Sequence, residues 1–245
     1  DMTPEIHRIS DYIQSGEIEI KTGPFGTQLK ASEYTDEGIP VINVRNIGFG
    51  NIIDEKLEYI SKETANRLSV HLLQSNDIIF GRKGAVERHA VVECENNGWL
   101  QGSDCIRLRV KSQRLLPRYL SYYFLTQEHK NFMKSMCSHG STMASLNQSI
   151  LEKIEFPYFN LCEQKKIVSV LWALDKKIKL NNHINQKLEE MEQAIFKSWF
   201  VDFEPFQDDE FVESDLGLIP KGWKVGTISD LGEVIGGSTP SKVKP

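Results

Sequence analysis

The residues best suited to meeting an anionic partner form one short basic stretch, Gly81-Arg82-Lys83-Gly84, followed by Arg88 and His89. Two glycines let the backbone come close to a partner, while Arg82 and Lys83 supply charge. That combination suits phosphate oxygens, and an arginine fork can also pair bidentately with guanine in the major groove. The competing reading is a basic β-turn whose glycines only permit positive φ.

Three further segments have a similar but weaker character. Asn43-Val44-Arg45-Asn46 follows a strand-like run and offers Arg45 and Asn46, residue types that read base edges. Lys21, Thr22, Gln28 and Lys30 surround a Gly-Pro turn. The run His139-Gly-Ser-Thr-Met143 puts His139, Ser141 and Thr142 on a polar loop able to hydrogen-bond phosphates or bases. For each of these a solvated loop is the default reading. Trp99, in Gly98-Trp-Leu-Gln-Gly102, is read as a core residue rather than a stacking platform.

Signatures of catalysis are missing. Gly48-Phe49-Gly50 lacks the third glycine of a dinucleotide fingerprint and does not open a helix. No GxxxxGK[ST] phosphate loop occurs, nor an Asn/Asp-Pro-Pro-aromatic methyltransferase motif. The six histidines form no HExxH pair. Asp11 with Glu19 and Lys21 mimics a metal nuclease triplet only superficially. These absences predict a chain without catalytic residues, metal or cofactor of its own.

The elements that must position the basic loops alternate between strand and helix. Pro40–Val44, Asp77–Phe80, Ala90–Val92 and Cys105–Val110 read as short strands. The last alternates apolar and basic residues, as a half-buried strand does. Ser61–Leu68 begins like a capped helix. Residues 117–136 read as one helix with Tyr119, Leu120, Tyr123, Phe124 and Phe132 turned inward. Ser145–Leu151 suggests a short capped helix before a strand at Ile154–Phe156. The expected fold class is α+β, a mixed globular domain over 1–158 followed by one long coiled-coil helix over 159–203.

No Gly or Pro occurs between Leu161 and Val201, so the helix can run about 40 residues, roughly 60 Å at 1.5 Å per residue. Ile167, Leu171, Leu174 and Ile178, then Ile184, Leu188, Met191 and Ile195, recur at steps of three or four and share one face. The step fails at Asn181-Asn182, where polar residues would set register. A stripe this long needs a second helix, and two copies of the chain packed antiparallel would supply it. An amphipathic helix folded back on its own domain is the alternative.

The chain has 245 residues and a net charge of −5, a total that by itself disfavours a nucleic-acid partner. However, Asp202, together with Glu204, Asp208, Asp209, Glu210, Glu213 and Asp215 in a stretch over 204–220 read as a linker, concentrates seven acids between Ser198 and Pro220. Without those seven, 27 acids face 29 bases, so the body is mildly basic. The four cysteines show no metal spacing and fit reduced thiols in a cytoplasmic protein. No apolar run is long enough to span a bilayer. The tripeptide Ile9-Ser10-Asp11 returns as Ile228-Ser229-Asp230 behind the helix, so 221–245 reads as the truncated start of a second domain.

The run KKIVSVLWALDKKIKLNN at 165–182, with LEEMEQAIFKSWFVDFEPF at 188–206, resembles the central conserved region of the specificity subunit of type I restriction–modification enzymes, the HsdS family. Gly217–Asp230 resembles the start of that family's second target recognition domain. The likeness extends back to Lys21–Lys30. It implies an amino-terminal half of such a subunit, non-catalytic, binding double-stranded DNA and reading one half of a split target. Methyltransferase subunits carrying S-adenosylmethionine, and restriction subunits using ATP and Mg²⁺, are the implied partners. At about 3.4 Å per base pair, a 60 Å helix sets a gap of at most about 17 base pairs between half-sites. The family pattern places a glycine where this chain has Glu87, an acid that would repel phosphate. A coiled-coil adaptor with a protein-binding head is the reading from a different class.

Overall fold

The computed structural model describes residues 4–84, 86–137, 145–233 and 235–237. Two compact units, 1–174 and 175–245, divide inside the long helix. In the first unit the chain begins with β1 (Glu5–Arg8), α1 (Ile9–Gln14) and β2 (Ile18–Thr22). Next come β3 (Tyr34–Thr35), β4 (Ile39–Ile42), β5 (Phe49–Gly50), β6 (Glu58–Ile60) and α2 (Lys62–Arg67). Strands β7 (Ile78–Gly81), β8 (His89–Val91), β9 (Leu100–Gln101) and β10 (Cys105–Val110) lead to α3 (Pro117–Phe124), α4 (Gln127–Cys137), α5 (Gln148–Glu152) and β11 (Glu155–Tyr158). The α+β expectation holds.

A five-stranded sheet has the order β2-β10-β7-β8-β5, and a four-stranded sheet the order β3-β6-β4-β9. Strand alternation explains how both faces of the larger sheet are buried. Ile78 and Phe80 of β7, with Ile106 and Leu108 of β10, enter a core shared with Ile9, Tyr12, Leu120, Phe124, Met133, Leu151 and Phe156. Ile79 and Cys105 point the other way, into a second cluster with Ile42, Ile47, Leu73 and Val92. Trp99 packs against that second cluster, partly buried.

The basic positions of β10 therefore correct the half-buried reading. Arg107 is 1% exposed and lies under the segments that carry the second cluster, not in solvent. It is tolerable there because Glu19 faces it at 2.5 Å, while Arg109 donates to Asp77 through both Nε and Nη2 at 2.7 Å. A charge taken out of water needs such partners.

The single helix expected over 117–136 is two. The hydroxyl of Thr126 accepts from the backbone of His129 at 3.3 Å and starts α4, whereas Leu125 and Thr126 close α3 with tight turns onto Tyr122 and Tyr123. Short-range caps behave as expected elsewhere. Ser61 accepts from Thr64 N at 3.1 Å at the start of α2. For α5 the cap is Asn147, whose side chain accepts from Ile150 N at 3.0 Å.

The long helix, α6, spans Leu161–Phe200, 40 residues. Asn160 caps it by accepting from Glu163 N at 3.0 Å. Gln164 anchors it, buried, accepting from Leu116 N and donating to the carbonyls of Arg114 and Phe159. Ile167 packs onto the domain core, so this first member of the stripe is covered by its own domain rather than by a partner. Arg118 lies over the ring of Trp172, 4.8 Å from its centroid. From Leu174 onward the stripe is exposed: Leu174, Ile178, Leu188, Met191 and Ile195 all exceed 50%.

In the second unit the stretch expected to be a linker is folded. Phe203 stops the helix in a left-handed conformation, φ 53°, while Lys197 O accepts from both Val201 N and Asp202 N. A hairpin follows, β12 (Phe211–Ser214) against β13 (Gly217–Pro220). Trp223 packs against Phe200, Phe203 and Phe206 at 5.4–5.9 Å between ring centroids. Then α7 (Ile228–Leu231) opens on the repeated Ile-Ser-Asp, just as α1 does. No described helix is long and apolar enough to cross a membrane.

Candidate nucleic-acid interface

The basic loops named above converge at one end of the sheets, because the strand ends that launch them are neighbours. Gly23 N donates to Cys105 O, Gly102 N to Ile42 O, Arg82 N to Asp104 O and Leu146 N to Arg82 O, at 2.8–2.9 Å. These bonds tie the loops after β2, β4, β7 and β9 to the residues just before α5. The approach is close enough to demand glycine: a Cβ on Gly23 would lie 1.9 Å from Gly102 O, and one on Gly102 would lie 2.4 Å from Asn43 Oδ1. In the basic loop itself Gly84 has φ +78°, the left-handed conformation of the β-turn reading.

At this edge Lys83 is exposed and pairs with Asp104 at 3.3 Å. Arg82 is half-buried; among the described residues its buried Nε meets no acceptor. Arg45 is exposed and pairs with Glu58 at 2.9 Å. Thr22 accepts from Gln148 Nε2 at 2.9 Å, which fastens the β2 end to α5. Lys21 is half-buried in β2, its carbonyl accepting from Gln101. Gln28 and Lys30 lie exposed on the adjoining loop, where Arg67 donates to Gln28 O at 2.7 Å and also binds Glu33. Arg88 is half-buried. Glu87 is answered by Lys134 at 3.8 Å. His139, Ser141 and Thr142 lie outside the described residues.

Two candidates are corrected. Asn46 is fully buried and spends its amide on the carbonyls of Ile53 and Glu55, each at 3.0 Å, so it shapes a loop instead of reaching a base. His89 is also fully buried. Its Nε2 lies 2.8 Å from Ser121 Oγ, and burial pushes its pKa down to about 3, so it carries no charge for a phosphate. In both cases the neighbouring residue in sequence, Arg45 or Arg88, is the one left partly in solvent.

Sequence reading missed Asn43, Glu58, Asp104 and Gln148. Asn43 Nδ2 donates to Glu58 Oε2 at 2.6 Å, so that carboxylate holds both Asn43 and Arg45. Asparagine before a short turn was a usable signal for Asn43. Nothing local marked the acids, which arrive from β6 and from the turn before β10. A separate open depression of about 370 Å³, lined by Glu19, Gln74, Asp77, Arg109 and Lys111, lies at the opposite strand ends, and its charges already pair with one another. Among the described residues no group of three His, Cys, Asp or Glu could hold a metal ion.

The arrangement presents hydrogen-bonding donors, a glycine-lined backbone and paired cations along one edge, which suits a polyanion with readable polar edges. Comparison with known proteins bears on the same segments. The family model for the type I restriction modification DNA specificity domain matches residues 17–190. The chain is 40% identical to the type I restriction enzyme MjaIX specificity subunit of Methanocaldococcus jannaschii, over 85% of this chain and 48% of that protein. It is 23% identical to the HindI specificity subunit of Haemophilus influenzae, over 82% of this chain and 57% of the other. It thus spans about half the length of these relatives. A crystal structure of the type I restriction–modification S subunit from M. genitalium shares the fold, with a TM-score of 0.56, 16% identity, and coverage of 86% of this chain and 55% of that one. The match embraces the converging loops and most of α6, and on that ground the chain belongs to the type I restriction modification DNA specificity domain family.

Proposed function

We propose that this chain recognises DNA sequence, reading one half of a bipartite target for a type I restriction–modification complex. The observation that carries the reading is the family match from residue 17 to 190, which takes in every loop of the converging edge. Arg45, Arg82 and Lys83 would make the contacts, with base edges read in the major groove and phosphates fixing register. α6 would hold the reader at a set distance from a second one. A second reader, for example in a second copy paired through the stripe from Leu174 to Ile195, would sit at the far end of that helix.

In this reading the chain contributes address and spacing, not chemistry. Methyltransferase subunits would bring S-adenosylmethionine and the methyl transfer, restriction subunits ATP-dependent cleavage with Mg²⁺, and the complex would work in the cytoplasm. The adaptor alternative draws no support from the family match. The test is labelled methyl transfer to plasmid DNA by a cognate methyltransferase subunit with and without this chain, followed by mapping of the modified bases. Sequence-specific methylation that needs both proteins is expected. Methyl transfer by this chain alone, or methylation indifferent to its presence, would overturn the reading.

A further inference from the structure

We propose that Glu58 and Asp104 are specificity-determining residues, which neutralise the edge cations Arg45 and Lys83 so that this surface gains little from phosphate in general. The inference rests on the DNA reading above and concerns how that reading achieves discrimination.

The geometry is reciprocal across the edge. Glu58 uses both oxygens, Oε1 on Arg45 at 2.9 Å and Oε2 on the Asn43 amide at 2.6 Å. Asp104 meets Lys83 at 3.3 Å, and its carbonyl holds the backbone of Arg82 at 2.8 Å, so the acid cannot drift from the basic loop. All four charged side chains stay 42–57% exposed. Pairs that open to water add little to folding stability. Their placement therefore needs another consequence, and electrostatics supplies one.

Binding to any duplex is driven by cations that displace counterions from phosphates, each contributing to the salt dependence. A cation already balanced by a fixed carboxylate releases little of that energy, and the carboxylate repels an arriving phosphate. Base edges are affected differently. The guanidinium of Arg45 has five donors, and one contact to Glu58 leaves others in plane for guanine O6 and N7. The carboxylates can themselves accept from the cytosine amine. A paired edge thus loses affinity for random sequence while keeping affinity for a matching one. Arg82, half-buried beside this pair, has no acceptor on its buried Nε among the described residues.

The experiment compares the wild-type chain with Glu58→Gln and Asp104→Asn, which preserve shape and remove charge. Glu63→Gln, an exposed acid on α2, controls for net charge. Binding to a random-sequence duplex is measured across a salt series, and sequences are enriched from a duplex pool with a randomised centre. Each edge variant is expected to bind random duplex several-fold tighter, to steepen the salt slope by about one, and to enrich a less defined sequence, with an unchanged melting temperature. Edge variants that fold normally yet match wild type in slope and enrichment would overturn this inference alone. So would an equal gain in the Glu63→Gln control. A wild-type chain with no salt-dependent DNA binding would remove the DNA reading, and this inference with it.

Discussion

Arg107 and Glu19 lie on the adjacent strands β10 and β2 and meet at 2.5 Å, although the arginine side chain is only 1% exposed. The contact is diagonal, because in register Glu19 stands opposite Arg109 and Arg107 opposite Lys21. Arg107 also points Nη1 at the carbonyls of Val70 and Leu72, at 3.3 and 3.4 Å. Glu19 is shared with Lys111 at 2.7 Å, and this lysine, ahead of Arg107 and Arg109, holds its carboxyl below the usual carboxylate range. The pair couples the sheet supporting the candidate interface to the segment before β7.

Removing only the acid should be the damaging change. Glu19→Ala leaves a buried guanidinium without its counter-charge and should cost about 3 kcal/mol, toward the low end for such pairs because Glu19 is partly solvated. Arg107→Met removes the buried charge itself and should cost markedly less. Urea midpoints at constant m decide between them. Equal losses in the two variants would show that packing, not charge, dominates there.

Acid should loosen the first unit through two buried histidines. Burial depresses His89 to about 3 and His129 to about 4, and neither ring nitrogen of His129 meets a partner among the described residues. Both rings pack on Phe124, at 5.5 and 4.6 Å between centroids. Since the unfolded rings take up protons near 6.5 and the folded ones resist, stability is fully present above that pH. It falls as pH drops toward 4 and then 3, by roughly 2 kcal/mol per ring at pH 5. His129→Leu should move the acid unfolding midpoint, followed by circular dichroism, to lower pH. An unmoved midpoint would clear this ring of the role.

The exposed stripe of α6 should mediate self-association. Leu174, Ile178, Leu188, Met191 and Ile195 leave an apolar strip far larger than isolated residues would. Leu174→Asp combined with Leu188→Asp should convert a dimer to a monomer in light scattering at micromolar concentration. A wild-type monomer there, or a double variant of unchanged mass, would contradict it.

Arg82→Ala with Lys83→Ala should weaken DNA binding without lowering the melting temperature, since both side chains sit outside the cores. A lost phosphate contact should weaken all sequences alike and make the salt slope shallower by about one, whereas a lost guanine contact should cost about 1–3 kcal/mol at a single base position. Wild-type affinity in this variant would reduce Gly81–Gly84 to a loop whose Gly84 only takes up a positive φ.

What the amino-acid order determined by itself was whatever depends on near neighbours. β10 occupies Cys105–Val110 as its alternation indicated, Ser61 caps α2, and α6 runs 40 residues because neither Gly nor Pro interrupts it. Strand period, caps and helix breakers act within a few residues, so they are visible without a fold. The break between α3 and α4 escaped because apolar spacing continues across Thr126 while its hydroxyl starts a new helix.

Tertiary structure alone decided which polar residues stay in water. Arg107 looked like an outward-facing base of β10, and Asn46 and His89 like reachable donors, yet all three are buried, Arg107 and His89 against segments distant in sequence. Alternation says that a residue points to one face; it does not say what covers that face. The same limit hid Glu58 and Asp104, whose importance comes from Arg45 and Lys83 on the loops after β4 and β7. Burial and charge pairing are sums over neighbours brought together by folding, and those neighbours exist only once the sheets have formed.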